Sequence, residues 1–252
     1  MLALLIFALQ TVPAQTAPAA PAKEPPRFTQ CMDLATSDPG KALTDAVQWR
    51  SEGGGFLARQ CLGVAYANAG KWAAAAGTFE DAAHEAEAAK DPRAPQYWAS
   101  AGNAWIAAQQ PAKARAAIDA ALATGALTGL ELGEAHLDRA RAVVALGDME
   151  SARSDIDKAL TYAAKDPLAW LLSATLARRG NDLPRAANDI TEALKLSGDD
   201  ATVQLEAGNI AAASGNEAEA RTAWNRVIEL APGSAIAGAA RAALAQFSAT
   251  EK

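Results

Sequence analysis

Residues 167–200 read PLAWLLSATLARRGNDLPRAANDITEALKLSGDD. In this segment Ala174 stands sixteen residues before Ile190, with Ala186 four residues before Ile190 and Ala193 three residues after it. A small residue, an alanine, a bulky residue and a second small residue recur at these offsets in five places, which indicates an internal repeat. The other four sets are Gly63, Ala75, Phe79 and Ala82; Gly102, Ala114, Ile118 and Ala121; Ala140, Ala152, Ile156 and Ala159; and Gly208, Ala220, Trp224 and Val227.

The repeated unit is predicted to be a hairpin of two helices. The small residue on the first helix lets the second helix cross closely, and the bulky residue fills the space between one hairpin and the next. Glycine ends helices by adopting a left-handed conformation, so turns are expected at Gly70, Gly147, Gly180 and Gly215. Helices are expected to begin after Asp91-Pro92, Asp166-Pro167 and Ser234, where Asp or Ser can cap and proline fits the first turn.

Composition agrees with an all-α fold and limits the kinds of partner. Half of the 252 residues are apolar but only 6% are aromatic, and alanine, the strongest helix former, is abundant. The net charge is −6, and lysine and arginine are spread without a basic stripe. Because nucleic-acid binding needs a concentrated basic surface, no nucleic-acid partner is expected.

The repeat resembles the tetratricopeptide repeat, whose pattern is W-x2-L-G-x2-Y, then A-x3-F, then P. The first unit offers Leu62-Gly63, Tyr66, Ala75 and Phe79. The second has Trp98, Gly102, Trp105, Ala114 and Ile118; the fourth has Trp170, Ala174, Ala186 and Ile190; the fifth has Gly208, Ala220, Trp224 and Pro232. The third unit departs most, with His136 in place of Trp and Val143 in place of Tyr. The resemblance implies tandem helix-turn-helix repeats stacked in a right-handed α–α superhelix, a solenoid, with a C-terminal capping helix.

The chain divides into three parts on this interpretation. Residues 1–14 are expected to be a signal peptide with cleavage near Ala14, although no Lys or Arg precedes Lys23; a misplaced start codon would explain that departure. A membrane anchor is the alternative, but the apolar run is far shorter than the ~20 residues that span a bilayer. Residues 15–27 are expected to be a disordered Ala/Pro-rich linker. The repeat domain follows at 28–247, with a degenerate hairpin at 28–54, repeats at 55–94, 95–132, 133–166, 167–200 and 201–234, and a capping helix at 234–247.

In proteins of this family the first helices line a groove that binds a peptide or a helix, and the positions that correspond here are predicted to bind a partner. They are Gln60, Val64, Asn68, Gln96, Asn103, Leu137, Arg141, Leu171, Thr175, Arg178, Leu205 and Asn209, with Leu57, Ile106, Glu134 and Val144 beside them. Arg141 and Arg178 are expected to bind an acidic group.

The expected function is a non-catalytic protein–protein interaction scaffold, with cell-envelope assembly as its expected setting. The alternatives are a self-assembling structural repeat protein that forms homo-oligomers, or a cytoplasmic adaptor if the signal is not used.

The cysteines and histidines are expected to have structural places, which agrees with a scaffold. Cys31 and Cys61 would lie on the first helices of adjacent hairpins, within reach of a disulfide in an oxidising compartment; two free buried thiols are the alternative. His84 is expected on a solvated face and His136 in the core. No catalytic motif, cofactor or metal site is predicted, nor stable membrane insertion, and the predicted location is periplasmic or secreted.

Overall fold

The computed structural model describes residues 25–249, with side chains through Phe247. The predicted signal peptide and residues 15–24 of the predicted linker lie outside the described residues. Within them the secondary structure consists of helices. These are α1 (Pro26–Ser37), α2 (Pro39–Ser51), α3 (Gly55–Asn68), α4 (Trp72–Ala88), α5 (Ala94–Ala107), α6 (Pro111–Ala123), α7 (Gly129–Ala145), α8 (Met149–Tyr162), α9 (Pro167–Arg179), α10 (Leu183–Ser197), α11 (Ala201–Ala213), α12 (Glu217–Leu230) and α13 (Ala235–Ala249).

Consecutive helices pack as hairpins that stack into a right-handed superhelix, so the predicted fold class is confirmed. Five helices, α2 and α8–α11, begin at an aspartate whose carboxylate accepts from a backbone N–H of the first turn, as Asp166 does from Leu168 N at 2.9 Å. Such caps satisfy donors that the helix itself leaves unpaired. At Asp91 the expectation was wrong: this carboxylate accepts from the backbone N–H and guanidinium of Arg93, and α5 begins without a side-chain cap.

The aligned small residues lie where the two helices of a hairpin cross. At Gly102 an added Cβ would lie 2.3 Å from Cγ1 of Ile118, and at Gly208 it would lie 2.5 Å from the Trp224 ring. Glycine is therefore required by space at these helical positions, not by backbone conformation. The paired alanines are fully buried, as at Ala114 and Ala220. This layout of small and bulky residues is the one that the sequence predicts.

The turns follow the prediction with one exception. Gly70, Gly147 and Gly215 adopt positive φ, but Gly180 does not. At that turn Asn181 takes the left-handed conformation, with φ of 60°. Asparagine tolerates this region better than most residues, so the adjacent glycine is not needed for it.

Both ends of the stack are closed. At the front, α1 and α2 pack against α3, and a Cys31–Cys61 disulfide joins α1 to α3 with the two Cα atoms 6.0 Å apart. At the back, α13 covers α12, where Phe247 meets Trp224 edge to face at 5.4 Å between ring centroids. Because α1 begins at Pro26, the last two residues of the predicted linker are helical.

Candidate functional site

The first helices of successive hairpins lie side by side and form one continuous surface, which we call the groove face. It consists of α3, α5, α7, α9 and α11, and α5 contacts α7 as α9 contacts α11. The approaches of α3 to α5 and of α7 to α9 are less close than either of these. An opening lies beside α7 and α9, near the middle of the groove face.

This opening is a cavity of about 270 Å³, which we call the inner cavity. Apolar side chains provide most of its lining, and polar groups stand among them. The lining residues are Ile106, Ala140, Arg141, Val144, Ile156, Leu172, Thr175, Leu176 and Arg179. Among them, the resemblance predicts Ile106, Arg141, Val144 and Thr175 as groove residues. A concave apolar site with a few polar groups is the usual form of a binding site.

Arg179 is the basic group at this cavity that sequence reasoning missed. It is exposed, and among the residues that the structure describes it has no ion-pair or hydrogen-bond partner for its side chain. It also lines a neighbouring cavity of about 350 Å³, where Arg153 donates to the Ser173 hydroxyl and Arg185 pairs with Asp157. Arg179 is thus available to an incoming anion while the two arginines around it are already engaged.

The two arginines expected to bind an acidic group are both paired within the chain. Arg178 donates twice to Glu206, at 2.7 and 3.2 Å, and Glu206 is buried. Arg141 donates to Asp138 at 2.8 Å. A buried carboxylate needs a cation beside it. Arg178 therefore belongs to the contact between α9 and α11, and the expectation that it binds an acidic group of a partner was wrong.

Two leucines expected in the groove are core residues. Leu137 is 3% exposed and packs with Ala159 and Ala169, and Leu171 packs with Ile190 and Val203. Both stand three residues before the small crossing residue of their unit, where the next hairpin covers them. Their side chains are not available to a partner, so the expectation was wrong for them.

The other predicted groove positions are spread along α3, α5 and α11, away from the inner cavity. Val64 and Leu205 pack, half-buried, against the core. Three of the amides connect helices. Gln60 accepts from the Tyr97 hydroxyl, Asn68 donates to the carbonyl of Ala35, and Asn209 accepts from the Trp224 ring. Each holds neighbouring helices together.

A second cavity, of about 290 Å³, lies between α5 and α7; we call it the acidic cavity. Three carboxylates stand on its α7 side, and its remaining walls are amide, hydroxyl and apolar. The lining residues are Gln96, Ala99, Ser100, Asn103, Leu127, Glu131, Glu134, Ala135 and Asp138. The pKa of Glu134 is raised, first by burial and then by repulsion from Asp138, Asp166 and Glu131. The predicted residues Gln96, Asn103 and Glu134 meet here, whereas Glu131 and Asp138 were missed.

The two cavities share a wall. Asp138 lines the acidic cavity, Arg141 lines the inner cavity, and their side chains are joined by the ion pair at 2.8 Å. Asn103 donates to the other oxygen of Asp138 at 2.9 Å. One face of α7 therefore carries an acidic side and an apolar side, divided by a fixed ion pair.

His136 is a structural residue on the opposite side of α7. Its Nδ1 lies 3.0 Å from Asp155, whose two oxygens also accept from Arg139 at 2.6 and 2.8 Å. Burial lowers the pKa of His136, and the Asp155 hydrogen bond opposes that effect. This buried network joins α7 to α8, as expected for a core histidine. His84 is exposed, as expected, with its ring against Trp98.

No group of three or more His, Cys, Asp or Glu side chains in residues 25–249 is placed to hold a metal ion. None of the described helices is both long and apolar enough to cross a bilayer.

Comparison with known proteins agrees with this architecture. YrrB, described as a TPR protein with an unusual peptide-binding site, matches with a TM-score of 0.55 and 17% identity over 79% of this chain and 97% of its own. PilF of Pseudomonas aeruginosa matches at 0.69 and 14% over 86% and 97%. PilW, a type IV pilus biogenesis factor, matches at 0.70 and 18% over 86% and 99%.

Identities this low establish a shared fold and nothing more. No curated protein matches the sequence. The profile of the tetratricopeptide repeat family matches residues 137–190 and 171–235. Residues 137–235 therefore match the tetratricopeptide repeat family, and the helices before and after them continue the same hairpin arrangement.

Proposed function

We propose that the chain is a non-catalytic scaffold that binds an extended segment of another protein on its groove face. The inner cavity carries this proposal, because it is an apolar opening on the face that the first helices share, with Arg179 at its rim. An aliphatic side chain of the partner would fill the cavity, and a carboxylate of the same segment would pair with Arg179. The peptide-binding site named for YrrB supports the same kind of partner.

Selection from a display library of random twelve-residue peptides, followed by fluorescence anisotropy, tests this proposal. Val144→Glu places a charge in the inner cavity and is expected to abolish binding of the selected peptides. Arg179→Glu is expected to weaken only those that carry an acidic residue. Val47→Glu, at an exposed valine of α2, is the matched control and should leave binding unchanged. Equal binding by the Val144→Glu variant and the unaltered protein would contradict the proposal.

Arg179 is a better test than the two arginines first expected to bind an anion. Substituting Arg178 would leave Glu206 buried without its partner, and substituting Arg141 would release Asp138. Loss of binding in either variant could follow from a distorted groove. Arg179 has no such partner among the described residues, so its substitution reports on the ligand alone.

We propose further that the protein works outside the cytoplasm, in the periplasm or after secretion. Two features support this location: the Cys31–Cys61 disulfide, a bond typical of oxidising compartments, and the apolar run Leu2–Leu9 at the start of the chain. Envelope assembly is the proposed setting, with PilW as a structural relative that takes part in pilus biogenesis. Mass spectrometry of protein recovered from outside the cytoplasm should find an N-terminus after Ala14 and a mass lower by two hydrogens. An intact Met1 or a reduced pair would contradict export.

Self-association is a second candidate, favoured by exposed apolar residues along one edge of the stack. Leu130 and Leu168 begin first helices, and Tyr162 and Leu196 end second helices, so all four lie at the same end of their hairpins. Light scattering distinguishes the candidates, because a strict monomer at high concentration excludes an assembly built on this edge.

A further inference from the structure

The cavity of about 350 Å³ beside the inner cavity lies between the hairpins α7–α8 and α9–α10, and we call it the basic cavity. Three arginines line it: Arg153 of α8, Arg179 at the end of α9 and Arg185 of α10. Asp182 is the one carboxylate in the lining, and its side chain accepts from the backbone N–H of Arg185. The lining therefore presents more guanidinium than carboxylate groups to the space that it encloses. The remaining lining residues are Met149, Leu176, Ala177 and Gly180.

A cavity at the preceding interface, between α6 and the hairpin α7–α8, shows a similar set of charges in balance. It measures about 190 Å³, and Arg115, Asp119, Arg139 and Asp155 stand in its lining. Arg139 lies between the two carboxylates, 2.9 Å from Asp119 and 2.6 Å from Asp155. Arg115 pairs with Asp119 at 3.5 Å. Every charged group of this smaller cavity therefore has a partner of opposite charge within it.

At the interface of the basic cavity a serine takes the place of this central arginine. Ser173 follows Arg139 by 34 residues, the length of one repeat. The shorter side chain leaves room, and Arg153 donates there to the Ser173 hydroxyl at 2.8 Å and to its carbonyl at 3.0 Å. The one carboxylate within ion-pair distance of Arg153 in the described chain is Asp157, at 3.7 Å, and Arg185 already binds it. Arg153 is thus held by neutral groups.

Two of the three arginines therefore keep positive charge that no close carboxylate balances. Burial lowers the pKa of Arg153, and repulsion from Arg185 lowers it further, against the attraction of Asp157 and Asp189. Arg179 is exposed and has no ion-pair or hydrogen-bond partner for its side chain among the described residues. Arg153 and Arg179 border the same space, so an anion that enters it meets both.

A carboxylate is the ligand that these groups fit. A guanidinium offers five N–H donors in a planar fork that matches the two oxygens of a carboxylate, and the bonds to Ser173 use two donors of Arg153. Leu176 and Ala177 provide an apolar wall for the methylene groups of an acidic side chain. Leu176 and Arg179 also line the inner cavity, so one extended segment can reach both cavities.

We infer that the basic cavity binds the side-chain carboxylate of an aspartate or glutamate in the partner segment whose aliphatic side chain enters the inner cavity. This inference rests on the proposed function. Arg153 and Arg179 are the donors, and Arg185 stays with Asp157. The bound carboxylate therefore lies between the two hairpins and not on the open groove face.

Peptides from the selection described above that bind the Arg179→Glu variant more weakly provide the probe. The acidic residue of each is replaced by its amide, which keeps the shape and removes the charge, and both peptides are measured by anisotropy. The unaltered protein should bind the amide peptide about tenfold more weakly, as expected for loss of a charge-assisted hydrogen bond. Met149→Glu places a carboxylate in the basic cavity, where it should pair with the arginines and make the two peptides bind equally.

Two matched variants control for this substitution. Met149→Gln introduces nearly the same shape as Met149→Glu without the charge, and it should keep the tenfold preference. Leu146→Glu adds the same charge three residues earlier, at a similarly exposed side chain outside the lining of both cavities, and it should also keep the preference. Thermal melts followed by circular dichroism establish that each variant is folded.

The outcomes separate this inference from the proposed function. A preference that Met149→Glu retains would overturn the inference and leave the proposed function standing, because Arg179 would then bind the carboxylate at the rim of the inner cavity. Loss of the preference in either control variant would overturn the inference as well. Selected peptides that need Val144 but carry no acidic residue, or bind Arg179→Glu unchanged, would have the same consequence. Failure to select any peptide that distinguishes the protein from Val144→Glu would overturn both.

Discussion

Gly102 and Gly77 both lie within helices, yet they have opposite roles. An added Cβ at Gly102 would lie 2.3 Å from Ile118, whereas at Gly77 it would meet nothing within 4 Å. The first glycine permits two helices to cross, and the second weakens a helix without any gain in packing. The repeat spacing alone distinguishes them, because Gly102 belongs to the aligned small positions and Gly77 does not.

Alanine substitution should therefore change stability in opposite directions at the two sites. Gly102→Ala is expected to lower the free energy of unfolding by about 1–3 kcal/mol through overpacking. Gly77→Ala should raise it by about 0.5–1 kcal/mol through helix propensity. Urea denaturation followed by circular dichroism measures both. Destabilisation by both substitutions, or by neither, would contradict the assigned crossing point.

His136 gives the protein a predictable response to acid. Burial holds its pKa below 6.5, so the unfolded chain takes up this proton at a higher pH than the folded chain does. The stabilising effect of the neutral ring is complete above pH 6.5 and is lost as the pH falls toward the lower folded pKa.

Unfolding free energies at about pH 7.5 and about pH 5.5 test this response. The unaltered protein should lose more stability on acidification than His136→Gln, which carries no titrating ring. An equal loss in the two proteins would show that His136 does not contribute to the acid response.

Adjacent arginines show where sequence reasoning reaches its limit at this scale. Arg178 and Arg179 differ by one position and have the same chemistry. Their roles are decided by Glu206, which lies on the next first helix and pairs with Arg178. A helix rotates by about 100° per residue, so one of two neighbours faces the next hairpin and the other does not. No local pattern indicates which one does.

At the scale of helices, the front hairpin is the element that depends on a covalent bond. Helices α1 and α2 bury the small residues Ala35, Ala42 and Ala46 beside Phe28 and Trp49, and the disulfide fixes α1 to α3 across a sequence separation of 30. Asn68 adds a hydrogen bond from α3 to the carbonyl of Ala35 at 2.9 Å. The sequence predicted a degenerate hairpin at 28–54 and placed both cysteines on first helices, within reach of a disulfide.

Removing the disulfide should destabilise the protein by about 3–4 kcal/mol, the loop-closure effect for a separation of this size. Cys31→Ala/Cys61→Ala is the variant, and urea denaturation is the measurement. A reducing agent should lower the stability of the unaltered protein and leave the variant unchanged. No effect of the reductant on the unaltered protein would contradict a stabilising bond.

Helix lengths were predicted less well than helix positions. The four extra residues of the second repeat predict a longer second helix and connection over 121–131, and α6 itself ends at Ala123. They extend the connection at 124–128 and the start of α7, which begins at Gly129. Thr124 and Gly125 mark this end in the sequence, and Gly125 takes positive φ, as a glycine that ends a helix does.

At the scale of the whole molecule, the binding surface is a product of stacking. The inner cavity is lined by residues of α5, α7, α8 and α9, so it joins residues from three repeats. The resemblance predicted the face and several lining residues, such as Ile106 and Val144. It did not predict the cavity, because the distance between hairpins depends on packing across the entire stack.

The most direct test of the groove as a binding site is methyl nuclear magnetic resonance of the full chain, with and without a selected peptide at saturation. The largest shift changes are expected at Ile106, Val144 and Leu172, which line the inner cavity. If those methyl signals stayed unchanged while Ile190 and Leu194 of α10 moved, the partner would bind elsewhere and the groove would not be its site.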